Sequence, residues 1–397
     1  MSDYGGVDMR MTGRERVLTA LNHRQPDGCP VSFGSSIVDG MTGAFKRKFD
    51  AYMGYAPAEV QTRHHIMGMV ETPPQITEWI NPDIATVWPM SPWVYKGKAA
   101  KDGSYTDAYG CLVRPVSFYY DAVQRPLIGP ISADDIRNHP WPNPYATDIT
   151  QGLLQQAEAA QKTGRAVLLD IPAAGPFEGA CWVRGFEDFL CDLYEDEYLA
   201  ETLMDAITEN TIGYWDTLLS KTGHLIDICG QGDDIGMQDR PFISTEIYEK
   251  LIKKYHKRIY DFIKAKTKAK IFMHVCGSVY DLLPALIETG VDILEAVQTS
   301  AANMEPARLK KDFGDALCFW GAVDTQQLIM NATPEEFKAE IFRLAEILGE
   351  NGGYILAPSH NIQPNVPCEN IQAMLEAFNE IRGLQVVTLE LPLDVSI

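Results

Sequence analysis

At 397 residues, 46% hydrophobic and 22% charged, the chain holds enough apolar material for one barrel-sized core or two smaller ones, in the proportions of an ordinary soluble globular protein. A formal net charge of −20, with no arginine-rich arm to offset it, would repel a phosphate backbone and excludes nucleic acid as an expected partner. The eight cysteines include no close C-x-x-C pair, the opening MSDYGGVDMRMTGRERVL lacks a signal peptide's apolar core, and no stretch approaches the ~18 apolar residues of a membrane span. These signs predict a cytoplasmic protein with reduced thiols and no membrane partner, and they leave a homodimer open.

In chain order, Thr12 with Glu15 three residues later has the form of a capping box, and opens a helix carrying Val17, Leu18 and Leu21 on one face as an N-terminal extension. The short apolar run Pro30-Val31-Ser32-Phe33, after Pro26 and Gly28, predicts a first strand, and 83–88 a second. Residues 95–146 differ: Gly97, Gly103, Gly110, Pro115, Pro126, Pro130 and the Trp-Pro-Asn-Pro of 141–144 punctuate β-like pieces near 112–113 and 116–120. This region is expected to be a β-hairpin insertion over one end of the fold. Beyond it, helices and strands alternate: helix 147–163, strand 166–170, a helix ending near Leu219, strand 225–229, a helix from Ser244, and the strand bearing His274 and Cys276. Then follow helix 279–289, strand 291–296, helix 304–312, strand 316–323, helix 334–349, strand 353–358 and helix 368–382. Apolar strands without an alternating polar face imply a parallel sheet covered by helices, and eight such units imply an α/β fold that forms one (β/α)8 TIM-barrel domain over residues 1–397.

In that fold the chemistry sits where the strands end. Those ends carry Asp170, Asp233 and Asp234, His274 and Cys276, Glu295 and Gln298, Asp324, and Ser359-His360-Asn361. His274 and Cys276, two apart on a strand, project to one side and deliver imidazole and thiolate together, as half of a zinc site does. Taken alone, the pair would more simply be a hydrogen-bonded core histidine and a small buried thiol. Zinc usually takes four ligands, and Glu295 and His360 from nearby strands are the expected others. Cys368 competes with His360 but reads as the start of a helix. Asp233 and Asp234 are candidates to orient a substrate or a metal-bound group, against a tight glycine-permitted turn. Gln298, Asp324 and Asn361 are candidate substrate contacts; for such loop residues helix capping is the plainer use. The basic run from Lys250 to Lys270 reads as a solvated helix face, with docking of an acidic partner as the alternative.

The order of RERVLTALNH, PDGCPVSF, PLIGPISADDIRNHPWPNP, GDDIGMQ, HVCGSV, FWGAVDTQ and GGYILAPSHNIQPNVPCENI resembles the uroporphyrinogen decarboxylase superfamily along nearly the whole chain. The resemblance implies a single (β/α)8 barrel that is either a porphyrinogen decarboxylase or a zinc-dependent methyltransferase working with a corrinoid protein. The decarboxylases carry an arginine-containing signature after the first strand. Here that place reads from Pro30 to Asp39 without arginine, and a substrate with many carboxylates needs bidentate cations. The methyltransferase branch has H-x-C after the fifth strand, matched by His274 and Cys276, and a further ligand after the eighth, where this chain has His360. Glu295 is placed like the zinc-binding glutamate of the related cobalamin-independent methionine synthases. No D-x-H-x-x-G corrinoid-binding pattern occurs, so the cobalamin is expected on a separate protein. The resemblance thus implies methyl transfer between a corrinoid and a small methyl ether, amine or thiol, with O-demethylation favoured by the hard ligand set. Trp88, Trp93, Tyr119 and Tyr120 would line an apolar or corrin-facing pocket. The alternatives are a metal-free decarboxylase using Asp83 or Asp170, and a barrel that serves only as a subunit.

Overall fold

A computed structural model describes residues 10–90, 97–146 and 148–383; Trp93 lies outside them. Its centre is a parallel sheet of seven strands, in spatial order from one edge Tyr354–Pro358, Cys318–Val323, Ile293–Ala296, Lys270–His274, Ile228–Gly232, Ala166–Leu169 and Ile84–Val87. The eighth position is taken by the predicted first strand, which has shrunk to a single bridge. Val31 pairs in parallel with Leu356, and its carbonyl accepts from Asp83 N at 3.0 Å, so the segment joins the two edges and closes the barrel. The segment stays short because its length is spent turning into a buried loop around Asp39, whose carboxylate takes Ser36 N at 2.7 Å.

The barrel interior follows from strand alternation. Ile84, Leu168, Ile228, Phe272, Ile293, Trp320 and Ile355 form one buried inner cluster, closed at the N-terminal end by Val17 and Leu21 of the helix Gly13–Leu21. That helix carries the expected capping box, Thr12 with Glu15. Because Phe272 and Ile293 face inward, His274 and Glu295, two residues further on paired strands, face inward one layer higher. The fourth strand runs Ile228–Gly232, later than expected from the apolar run 225–229, because Gly230 and Gly232 fill inward positions that tolerate no side chain: a Cβ on Gly230 would lie 3.1 Å from the Phe272 ring.

The insertion forms the antiparallel sheet Tyr105–Thr106, Leu112–Val116 and Tyr119–Gln124, within the expected range. The helices Gly43–Met53, Pro74–Ile80, Pro176–Arg184 and Phe186–Glu195 were not anticipated. The basic run is the solvated face of a helix. Lys250, Lys254 and Arg258 pair in steps of four with Glu197, Glu201, and Asp205 and Glu209 of the neighbouring helix Glu197–Thr222. These exposed pairs each contribute on the order of 0.2–1 kcal/mol and leave no free basic stripe for an acidic partner. No helix among the described residues is long and apolar enough to cross a membrane.

Candidate metal centre and cavity

His274 ends its strand and Cys276 follows on a loop, where Gly277 takes φ +85° so that the chain can pass the Gly236 loop; a Cβ on Gly277 would lie 2.5 Å from the Met237 carbonyl. This brings one ligand atom each from His274, Cys276 and His360 within 4.8 Å of one another. Cys276 Sγ lies 3.5 Å from His274 Nε2. Glu295 does not join that cluster. Its carboxylate hydrogen-bonds His274 Nδ1, which fixes the ring and leaves Nε2 for the cluster, as a carboxylate behind a metal-bound histidine does. Its other oxygen, Oε1, is buried without a hydrogen-bond partner. Cys368 also stands apart, buried at the start of the helix Cys368–Ile381.

The electrostatics depend on a cation. Burial would lower the His274 pKa, but the charges of Glu295 and Cys276 prevail and hold it well above the usual histidine value. Burial, then Asp234, pushes the Cys276 thiol up to about 11, so without a cation it stays protonated at neutral pH. Burial and the neighbouring His274 hold His360 down at about 4, and its Nδ1 lies 3.3 Å from the Tyr119 hydroxyl of the inserted sheet.

The two aspartates after Gly232 part company, as successive residues of an extended chain must. Asp234 faces inward: it accepts Cys276 N at 2.7 Å and lies 3.8 Å from His274 Nε2. Asp233 faces the helices, accepting Phe177 N at 3.1 Å, Glu178 N at 2.6 Å and His256 Nε2 at 2.7 Å. Tyr248 in turn lies 2.9 Å from His256 Nδ1. Asp233 therefore caps a helix from a distance.

Above the cluster lies a cavity of about 120 Å³. Its lining includes His64, His274, His360, Asp234, Glu178 and Trp182, with Ile37, Val38, Ile66, Met67 and Ile171 as apolar walls, and among the described residues contains no lysine or arginine. Glu178, His64 and Trp182 were not anticipated there. The helix that carries Glu178 and Trp182 begins Gly175-Pro176, a proline at a first helical position, and that signal could have placed both on the rim.

The remaining strand-end residues hold loops. Gln298 accepts Gly277 N at 2.9 Å, Asp324 takes the backbone N–H groups of Gln326, Gln327 and Leu328, and Asn361 ties Ile37 and Gly40. Trp88 lies outside the cavity lining, with Arg63 over its ring at 5.1 Å. Asp170 is buried against Ile37 N and Ser36, and Asp83 against Arg16 at 2.6 Å.

Residues 108–381 match the family of uroporphyrinogen decarboxylase (URO-D). The chain belongs to that family. Among curated relatives it is 25% identical over 215 residues to a methylcobamide:CoM methyltransferase, MtaA, of Methanosarcina barkeri, covering 53% of this chain and 59% of that protein. It is 23% identical over 226 residues to a uroporphyrinogen decarboxylase of Alcanivorax borkumensis, covering 53% and 60%. The chain thus spans about three fifths of the length of these relatives. A solved structure described as a methyltransferase from Methanosarcina mazei shares the fold, with a TM-score of 0.64 and 16% identity over 94% of this chain and 99% of that one.

Proposed function

We propose that the protein is a zinc-dependent methyltransferase that moves a methyl group between a small substrate and a corrinoid carried by a separate protein. The observation that supports it most is the meeting of His274, Cys276 and His360 beneath a cavity whose described lining holds no lysine or arginine. Two imidazole nitrogens and a thiolate within reach of one another suit zinc, with a position left open towards the cavity as at catalytic sites. Zinc there would supply Lewis acidity to the heteroatom of a methyl donor, or hold an acceptor thiol as thiolate. The chain's own residues do the rest: Glu295 orients His274, Asp234 fixes the backbone of Cys276, Tyr119 steadies His360, and the apolar walls thin the water around the methyl group. The decarboxylase reading would require bidentate cations to hold the carboxylates of a tetrapyrrole, and the described lining offers no arginine or lysine. The names of the relatives fall on both sides and do not choose.

Metal analysis joined to a methyl-transfer assay tests this reading. About one zinc per chain is expected, with transfer that needs an added corrinoid, fast when a carrier protein supplies it and slower with free cob(I)alamin. Metal-free protein that releases carbon dioxide from a tetrapyrrole would replace it with the decarboxylase reading.

Two variants test the ligand set. His360→Ala should lose zinc and His360→Cys should keep it, whereas Cys368→Ala should leave the metal in place because that thiol sits at a helix start outside the cluster. Zinc lost from Cys368→Ala and kept in His360→Ala would reverse the assignment. Glu295→Ala should weaken zinc binding by roughly 10–100-fold, the usual cost of removing the carboxylate behind a metal-bound histidine. An unchanged zinc affinity in competition with a chelator would remove Glu295 from that role.

A further inference from the structure

The cavity holds one acid that the metal cluster does not use. His274 is committed to Glu295, Asp234 to the backbone of Cys276, and His360 lies against Tyr119. Glu178 enters the same cavity from the first turn of the helix Pro176–Arg184; its backbone N–H is taken by Asp233, and its carboxyl faces the backbone N–H of Asp234. Among the described residues no side chain hydrogen-bonds that carboxyl. A reacting group seated over the cluster would therefore meet Glu178 as the free proton-bearing group of the cavity.

We propose that Glu178 gives a proton to the departing oxygen of a small methyl ether or methanol, so that oxygen-bound methyl groups are the substrate class of this cavity. This rests on the methyltransferase reading above. In the step, cobalt(I) of the carrier's corrinoid donates an electron pair to the methyl carbon and the Co–C bond forms. The C–O bond breaks with its pair remaining on oxygen, the Glu178 Oε–H proton moves to that oxygen, and an alcohol leaves from a methyl ether, or water from methanol. The carboxylate left behind is reprotonated from solvent, which its side chain reaches at the cavity mouth.

Three further features favour this class. Glu178 keeps exposed surface at the cavity mouth and has Asp234, Asp233 and His274 as charged neighbours, with Cys181 one turn on and Tyr109 also near; desolvation first, then the two aspartates, pushes its carboxyl up to about 8, the direction a proton donor needs. A volume of about 120 Å³ corresponds to about four waters at ~30 Å³ each, enough for the methoxy end of a donor. Among the described lining residues Trp182 is the one aromatic wall apart from histidines, and they form no cage for a quaternary ammonium group, which would leave as a neutral amine and need no proton.

The experiment uses the full zinc-loaded chain with free cob(I)alamin as acceptor, comparing methanol with 4-nitroanisole, whose phenolate leaves without help. Glu178→Gln should lower transfer from methanol by roughly 100-fold or more, the range of a lost general acid, and from nitroanisole by a few fold, with zinc content unchanged. The wild-type rate with methanol should fall as pH rises through about 8, since the protonated acid is the active form. Independently of turnover, the infrared band of a protonated carboxyl should be present at neutral pH and missing in Glu178→Gln. Equal losses for both donors, or an ionised Glu178 at neutral pH, overturn the proposal while the methyltransferase reading stands. Wild-type protein that binds zinc but methylates cob(I)alamin from no donor overturns both.

Discussion

Cys276→Ser is expected to strip zinc from the protein and reduce methyl transfer by well over the 10–100-fold that loss of an outer-shell partner costs, while the barrel stays folded. Zinc binds the thiolate, and a serine hydroxyl at neutral pH offers no comparable anion. The fold survives because Cys276 lies on a loop past the end of its strand, above the inner layer of Phe272, Ile293 and Trp320 that fills the barrel. The same residue shares in the site's pH dependence. With its thiol pushed up to about 11, Cys276 must release a proton when zinc binds, and His274, held well above the usual histidine value, must release the one on Nε2, so apparent affinity should rise with pH and fall as protons compete. His360, held near 4, is already neutral at those pH values; read from sequence alone it would have been expected to supply this competition. Zinc titrations in buffers of different ionisation enthalpy should count both released protons in the wild type, while Cys276→Ser should show no zinc-binding heat. Retention of both zinc and turnover in that variant would refute the ligand assignment.

The parts legible in the sequence were those set by local pattern. The β-α alternation reported strand order because parallel neighbours must be joined by crossover helices, and His274 and Cys276 were legible because two-residue spacing fixes a shared face. Glu295 was expected among the metal ligands, but whether a carboxylate reaches the metal or stands behind the imidazole is a matter of rotamer and depth, which spacing does not encode. The inserted sheet was expected over one end, and Tyr119 near the mouth, yet its approach to His360 joins residues 241 positions apart and leaves no local trace. The helix bearing Glu178 was missed because its apolar residues are spread around the helix: Phe177, Ala180, Cys181 and Val183 are all buried, so no clean stripe appears. The Asp233-Asp234 pair shows the same limit. Adjacent identical residues received one joint role, and the backbone sent one carboxylate to the cavity and the other to the helices.

That division predicts opposite phenotypes for adjacent substitutions. Asp233→Ala removes the acceptor of three donors, Phe177 N, Glu178 N and His256 Nε2, at a site where the residue is fully buried. Each orphaned buried donor costs about 1–3 kcal/mol, partly offset by relaxation, which suggests a total of about 3–5 kcal/mol. At roughly 1.2 °C per kcal/mol for a chain of 397 residues, the melting temperature should drop by about 4–6 °C. Zinc should stay bound in the fraction that remains folded, because Asp233 points away from the cluster. Asp234→Ala removes one acceptor, that of Cys276 N, from a side chain 37% exposed, so its stability cost should stay below about 1.5 kcal/mol. Its effect should fall on the metal instead, since the Cys276 backbone and the charge beside His274 both change. Thermal melts paired with zinc content for the two variants separate these outcomes. If Asp233→Ala melts within about a degree of wild type, the burial of that carboxylate among three donors is not what holds the helix Pro176–Arg184 against the barrel.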